Sequence, residues 1–336
     1  MLALAGGGAI WWFLRDKDPG TPVAPVIPLE RYEAQRPLMG TAVRIVVYAP
    51  TQPLATEAMD AAFERATEIA TICTDYDPES ELSLLSEAPI REPIPLSPTL
   101  AAVLAYAQDT AHNTTGLFDP TLGPLTRLWR ESTHTRVLPG EGARQAAREA
   151  SGWEHMKLDL EGGTLTLTRP GMRFDLGGIA KGYAADEMLR VLEGKGLRSA
   201  LVALGGDIRL GAPPPDASGW VVGIRALGPQ VTELVTVANC GVSTSGDLYQ
   251  YVEIDGTRYC HILNPATGLG LTKRIAATVI APTTTQTDPL ATFACVSPEA
   301  ALQAFAAGEI SCRIVTLENG VPRTRASANF PRVDAH

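Results

Sequence analysis

Asp288 and Thr292 stand four residues apart in T-D-P-L-A-T, with Pro289 marking a helix start. Residues at that spacing share a helix face, so a carboxylate and a hydroxyl there could grip one hard cation such as Mg²⁺. An Asp before Pro is also a standard N-cap, and the spacing leaves both roles open. His261, among only five histidines, ends a strand in Y-C-H-I-L-N-P-A-T-G (259–268). A histidine there can take a proton near neutral pH, as a general base must, or can tie the turn to its own backbone. Between a strand and a helix, residues 175–183 read D-L-G-G-I-A-K-G-Y. Adjacent glycines at a helix start let backbone amides approach an anion, and a bare turn needs neither the flanking Asp175 nor Lys181. L-G-G-D (204–207) and S-T-S-G-D (243–247) are either ordinary turns or loops whose amides and hydroxyls hold phosphate oxygens. In G-L-F-D-P-T-L-G-P-L (116–125), Phe118 could pack on a flat ring and Asp119 could accept from a purine amine or ribose. The same segment also reads as a rigid Pro/Gly turn.

These groups need elements to hold them. Ala42–Tyr48 is β-branched and strand-like, and Leu54–Cys73 is an amphipathic helix with Met59, Phe63, Ala66 and Ile69 at helical spacing. Ser97-Pro98 opens a helix running to about His112, and Ala143–Ala150 is a shorter one. Leu165–Thr168 is a strand, and Lys181–Glu193 is a helix closed by Gly194. Ala200–Leu204, Trp220–Ile224, Glu233–Val237, Tyr251–Ile254 and Ala276–Ile280 read as strands, with Asp255-Gly256 a hairpin turn. Helices over Pro289–Val296 and Pro298–Ala306 follow, and Arg313–Leu317 is the last clear strand. Hairpin-paired strands with irregularly inserted helices predict an α+β fold of mixed or antiparallel sheets in one folded unit.

The 336-residue chain carries a net charge of −9 and no basic run, which excludes nucleic acid as a partner. An anionic small ligand therefore needs a metal or backbone amides to meet its charge. The five cysteines form no C-x-x-C pair, so neither a disulfide framework nor a zinc site is expected. Met1–Leu14 is apolar, ends in Trp12-Phe13-Leu14 and precedes Arg15, Asp16 and Lys17. It is shorter than a spanning helix, and the tryptophans suit a membrane interface. Residues 1–18 are expected to be a signal anchor or uncleaved signal-like segment, residues 19–31 a Pro-rich tether, residues 32–325 the folded domain and 326–336 a tail.

The order of the motifs is more specific than any one of them. R-P-L-M-G-T (36–41) and D-Y-D-P-E-S-E-L-S (75–83) come first, then G-L-F-D-P-T, D-L-G-G-I-A-K-G-Y-A-A-D, L-G-G-D-I, S-T-S-G-D, H-I-L-N-P-A-T-G and T-D-P-L-A-T. From about Arg36 to Leu317 the succession closely resembles the FAD:protein FMN transferases, the ApbE-type flavin transferase family. The resemblance implies the family's α+β fold and FAD as substrate. It implies FAD contacts from Met39, Tyr76, Leu117, Phe118 and Asp119, with Asp175, Lys181 and Leu263 completing that site. It implies Mg²⁺ held by Asp288, Thr292 and the backbone carbonyl of Gly178, with His261 and Asp288 as the catalytic residues. The family has Asp where this chain has Asn264, which removes a charge beside His261 while keeping the turn.

The activity so implied is Mg-dependent transfer of FMN from FAD to a Thr or Ser hydroxyl of an acceptor flavoprotein in a membrane redox complex, with release of AMP. The expected location is the periplasmic side of a bacterial inner membrane, signal-anchored or secreted, with N-terminal membrane association. Two alternatives use the same residues: a FAD pyrophosphatase with water as nucleophile, and a passive FAD-binding protein. A nicotinamide dehydrogenase is disfavoured, because G-x-G-x-x-G is absent from the glycine-rich turn.

Overall fold

The run T-A-V-R-I-V-V-Y-A sends alternate side chains to opposite faces of a strand. Val43, Ile45 and Val47 are fully buried on one face and Val46 is buried on the other, so this strand must be covered on both sides. The computed structural model, which describes residues 28–335, has that arrangement. An eight-stranded sheet takes its strands in chain order, each antiparallel to the next. They are β1 (Glu30–Leu38), β2 (Thr41–Ala49), β3 (Ala200–Leu204), β4 (Asp207–Leu210), β5 (Cys240–Gly246), β6 (Ile275–Ala281), β7 (Ser311–Glu318) and β8 (Val321–Ala326). The expected α+β class with antiparallel pairing is what the chain adopts.

Five helices matter for the site: α1 (Gln52–Cys73), α2 (Pro98–Asn113), α3 (Gly123–Thr135), α4 (Ala180–Gly194) and α5 (Thr284–Val296). Phe63 and Ile69 of α1 and Met188 and Leu192 of α4 share one core with Val43, Ile45 and Val202 of the sheet. On the opposite face, Val46, Leu210, Val242 and Ile280 pack against Trp220, Val222, Ile224 and Val235. Those residues come from a smaller antiparallel sheet of Trp220–Arg225, Val231–Val237 and Asp334–Ala335. Burying each such Val or Ile contributes roughly 1.5–3 kcal/mol, so both covers hold the sheet that carries the site.

Several boundaries differ from expectation. The helix at T-D-P-L-A-T begins at Thr284, not Pro289, so Asp288 lies inside it and is not its N-cap. Thr283 takes the cap position, where its N–H donates to Gln286 Oε1 at 3.3 Å. Pro289 then sits inside the helix, leaving the Thr285 carbonyl without its usual i+4 donor. Gly194 is the last residue of α4 and does not close it; the left-handed position is Gly196, at φ +85°. The expected tail is not free: Phe330 and Val333 pack on the second core, and Asp334–Ala335 pairs with Leu234 and Glu233. Glu30 and Arg31, expected in the tether, begin β1. This strand is polar and lies at the sheet edge, so its sequence lacks the apolar alternation by which strands are read. The signal-like segment and the tether up to residue 27 lie outside the described residues. Among the described residues, no helix is long and apolar enough to cross a membrane.

Candidate active site

A tight turn feeds the chain into α4. Asp175 Oδ1 accepts from the Gly177 N–H at 2.8 Å, an aspartate turn that fixes the paired glycines. The Gly177 carbonyl accepts from Lys181 Nζ at 2.8 Å, one helical turn on. From there the ammonium reaches two carboxylates, at 3.3 Å from Asp207 and 3.4 Å from Asp288. Both acids are buried, and the Gly182 N–H donates to Asp288 Oδ2 at 3.1 Å. Burial first, then the neighbouring Asp207, pushes the Asp288 carboxyl up to about 7, against the opposing pull of Lys181 and the Gly182 amide. Burial alone would lower the Lys181 pKa, but Asp288 and Asp207 outweigh it and raise it. Two acids around one ammonium leave the cluster able to take further positive charge.

Three contacts fix α5 where Asp288 needs it. A methyl group on Gly182 would meet the Thr284 carbonyl oxygen at 2.3 Å, so α4 and α5 touch at backbone distance. Asp186 accepts from the N–H and the hydroxyl of both Thr284 and Thr285, satisfying the donors at the start of α5. Behind it, Ser243 and Thr287 share a buried hydroxyl–hydroxyl bond of 2.7 Å that ties α5 to β5. Asp288 and Thr292 therefore project from one rigid face.

Thr292 meets the glycine turn directly. A Cβ built on Gly178 would stand 3.7 Å from Thr292 Oγ1 and 3.3 Å from Phe118 Cε2. The buried Asp288 and Asp207 carboxylates and the Thr292 hydroxyl beside the Gly178 turn offer oxygen donors only, the kind a hard divalent cation takes together with water or phosphate oxygens. Asp288 Oδ2 is engaged by Gly182 and Lys181, while Oδ1 carries no hydrogen bond among the described residues. The residues present thus fit Mg²⁺.

The remaining expected residues reach this centre unequally. Tyr76 is 77% exposed and joins it through Arg130 of α3, whose guanidinium lies over the ring and also faces Asp75 and Asp175. Phe118 is buried beside Gly178, and Leu117 packs at the edge of a core formed with Phe293 of α5. Asp119 spends both oxygens on the protein, Oδ1 on the Thr121 N–H and hydroxyl within its own loop and Oδ2 on the Trp153 N–H of a distant segment. Its pKa is raised by burial, opposed by those bonds. Met39 occupies the β1–β2 turn in the left-handed region at φ +51°. That turn adjoins the L-G-G-D loop, because a Cβ on Gly205 would lie 3.0 Å from Thr41 Oγ1. Leu263 packs with Trp129, whose neighbour in α3 is Arg130.

His261 lies exposed on its loop, with its N–H donating to the Gln250 carbonyl at 3.0 Å. Its Nδ1 is 3.2 Å from that same oxygen, which can only accept and so favours the tautomer protonated on Nδ1 with Nε2 basic, and 3.5 Å from the Cys260 thiol. Crowding by protein lowers the His261 pKa; the Gln250 carbonyl opposes this, and the Lys181 charge adds to it. Asn264, in place of Asp, accepts from the Ala266 N–H at 2.9 Å, so the turn is kept.

Four participants were not singled out by sequence reasoning: Asp207, Asp186, Arg130 and Asp75. The first two lie within motifs already noted, L-G-G-D and D-L-G-G-I-A-K-G-Y-A-A-D, but local sequence does not say which motif residues converge. Asp75 likewise opens D-Y-D-P. Arg130 gives no sequence signal, being one basic residue on a polar helix.

An antiparallel sheet with helices on one face, carrying a lysine between two buried acids beside a glycine turn, is the architecture that the comparisons with known proteins can be set against. Residues 39–314 match the ApbE family, and the chain belongs to that family. It is 32% identical over 263 residues to the FAD:protein FMN transferase of Vibrio cholerae serotype O1, covering 75% of this chain and 77% of that protein. It is 31% identical over 283 residues to the protein of the same name from Treponema pallidum, covering 79% and 78%. Among solved structures, the flavin transferase ApbE from Vibrio cholerae superposes with a TM-score of 0.79 at 29% identity, over 90% of this chain and 99% of that one. The ApbE protein from Thermotoga maritima gives 0.81 at 27% identity, over 90% and 98%.

Proposed function

We propose that this protein transfers the FMN half of FAD to a Ser or Thr hydroxyl of an acceptor protein, releasing AMP. The observation that carries the reading is the convergence of Asp288, Asp207 and Lys181 on the Gly177-Gly178 turn, beside Thr292 and Phe118. The names of the relatives point to the same chemistry.

In this reading Asp288, Thr292 and the Gly178 carbonyl would hold Mg²⁺, and the ion would supply positive charge at the pyrophosphate. Lys181 stays an ammonium and adds a second positive charge, held in place by the Gly177 carbonyl. The acceptor oxygen forms a bond to the FMN-side phosphorus. The bond from that phosphorus to the bridging oxygen breaks, and AMP leaves with the electron pair. The hydroxyl proton passes to His261 Nε2, or to Asp288. Met39, Tyr76, Leu117, Phe118, Asp119, Asp175 and Leu263 bind FAD. Phosphoryl transfer depends mainly on positioning and charge, so few acid–base groups suffice.

The acceptor is read as a flavoprotein of a membrane redox complex. Action on the periplasmic side of an inner membrane, with N-terminal membrane association, is part of the same proposal and rests on the composition of residues 1–18.

The test incubates the full chain with FAD, Mg²⁺ and a candidate acceptor domain and reads intact-protein mass. The expected result is an acceptor gain equal to FMN that disappears with Asp288→Ala or with chelator. Transfer undiminished without metal overturns the metal assignment. Free FMN and AMP beside an unmodified acceptor, across several acceptors, makes the protein a pyrophosphatase.

A further inference from the structure

We infer that Arg130 is a positioning residue that locks Tyr76 to Asp175 and so sets the affinity for the aromatic end of the ligand. The inference rests on the flavin-transfer reading for the identity of that ligand. Arg130 stands on α3, between two segments far away in sequence. Its Nη1 and Nη2 both donate to the Asp75 carboxylate, the two-pronged geometry in which a guanidinium binds most firmly. Nη2 also stands 3.5 Å from Asp175 Oδ2. The guanidinium carbon lies 4.2 Å from the centre of the Tyr76 ring.

A tyrosine covered on one face by a guanidinium and still 77% exposed has its other face open. Nothing in the fold requires that presentation, since an exposed ring adds little to the core. A flat ring of the ligand would find there a stacking surface already fixed in orientation, and the ordering cost of binding falls accordingly. Asp175 anchors the guanidinium from the other side through Oδ2, while its Oδ1 holds the Gly177 turn by a separate bond, so the arginine orients the ring without setting the turn. A lysine could not do the same, for it lacks both the planar fork and the broad face that lies on a ring.

The test compares the full chain with Arg130→Gln, Arg130→Lys, Tyr76→Ala and the Arg130→Gln/Tyr76→Ala double variant. Binding of FAD, FMN and AMP is measured by calorimetry, transfer by steady-state kinetics and folding by urea titration. Arg130→Gln should weaken FAD and FMN roughly tenfold, the scale of one partly desolvated cation–π contact and its ion pair, and leave AMP unchanged. KM for FAD should rise while kcat stays within about twofold, because the reacting phosphate is untouched. Arg130→Lys should recover part of the loss. The double variant should be no weaker than the worse single one, since the arginine acts through the tyrosine. Should Arg130→Gln fail to fold, Tyr76→Ala on its exposed loop and Arg130→Lys still decide the matter. Unchanged flavin affinity in the Arg130 variants, equal weakening of AMP, or additive losses in the double variant overturns the inference alone. Failure of the unaltered chain to bind any flavin overturns the flavin-transfer reading and this inference with it.

Discussion

The backbone N–H of Gly182 donates to Asp288 Oδ2 at 3.1 Å, across an approach so close that a methyl group on Gly182 would stand 2.9 Å from the Asp288 Cβ. The glycine does two things at once. It lets α4 lie on α5 at backbone distance, and it supplies an amide to a carboxylate that burial would otherwise leave short of partners. The neighbouring residue, Lys181, is thereby held against the same acid.

Gly182→Ala tests that relationship. Alanine favours a helix over glycine by up to about 1 kcal/mol, so intrinsic propensity predicts a small gain. The clash with the Thr284 carbonyl oxygen, at 2.3 Å, is with rigid backbone and cannot be relieved by a rotamer change. Overpacking of this kind costs about 1–3 kcal/mol, and it should outweigh the propensity. Urea unfolding is expected to show a net loss of stability, and transfer activity should fall at least as far because Asp288 is displaced. A stabilised variant would mean that the two helices are not held at this distance in solution.

Asp186 governs the start of α5. Besides the two threonines, it faces Arg209 Nε at 2.8 Å, and its side chain is largely buried. Replacing it with alanine removes the acceptor from two helix-start N–H groups and leaves Arg209 without its partner. Breaking a buried pair on one side costs about 3–5 kcal/mol, so Asp186→Ala should lower the urea midpoint substantially. Asp186→Asn keeps one acceptor oxygen and should fall between the two. Midpoints indistinguishable from the unaltered chain would show that α5 is held from the β5 side alone.

His261 gives the pH dependence. In the proposed reaction the neutral ring is the base, and its pKa is lowered from the ordinary value because desolvation by the surrounding protein disfavours the charged form. The lowered pKa extends the range over which the ring stays neutral toward lower pH. Activity carried by His261 should decline as the solution is acidified and the ring gains its proton, at lower pH than for an ordinary histidine. A profile of kcat/KM against pH should place the acid limb below 6.5, and His261→Gln should remove that limb. An unchanged limb in the variant would transfer the proton-accepting role to another group, with Asp288 the first to examine.

Much of this arrangement could be read from the chain, and what could not has a physical cause. The strands Ala200–Leu204 and Tyr251–Ile254 and the turn at Asp255-Gly256 were legible because hydrophobic alternation and turn chemistry are local. The edge strand β1 was not, since its neighbours on one side are solvent and its sequence carries charge instead of alternation. Pro289 misplaced the start of α5: proline suits a first turn because its missing N–H would have no partner there, but here the helix starts at Thr284, where Asp186, 98 residues away in sequence, accepts the first N–H groups. The same limit applies to the site. Asp288, Lys181 and Thr292 stand in recognisable motifs, whereas the pairing of Asp207 with Lys181 and of Arg130 with Asp75 exists only after the sheet brings them together.

Asn264 stands where the resemblance led to the expectation of an aspartate, and the geometry separates the two things an aspartate there would do. The side-chain oxygen accepts from the Ala266 N–H at 2.9 Å, and the backbone oxygen accepts from Thr267 and Gly268, so the turn needs an oxygen and not a charge. Asn264→Asp should therefore leave stability within about 0.5 kcal/mol, while Asn264→Ala should cost about 1 kcal/mol through the lost bond. The charge should act on His261 alone. A carboxylate nearby favours the imidazolium, so Asn264→Asp should raise the His261 pKa and move the acid limb of kcat/KM to higher pH. Measuring that limb in both variants settles which property matters. If Asn264→Asp shifts it upward and Asn264→Ala does not, the asparagine keeps the turn and tunes the base for lower pH. If neither variant moves the limb, position 264 shapes the turn and has no electrostatic hold on His261.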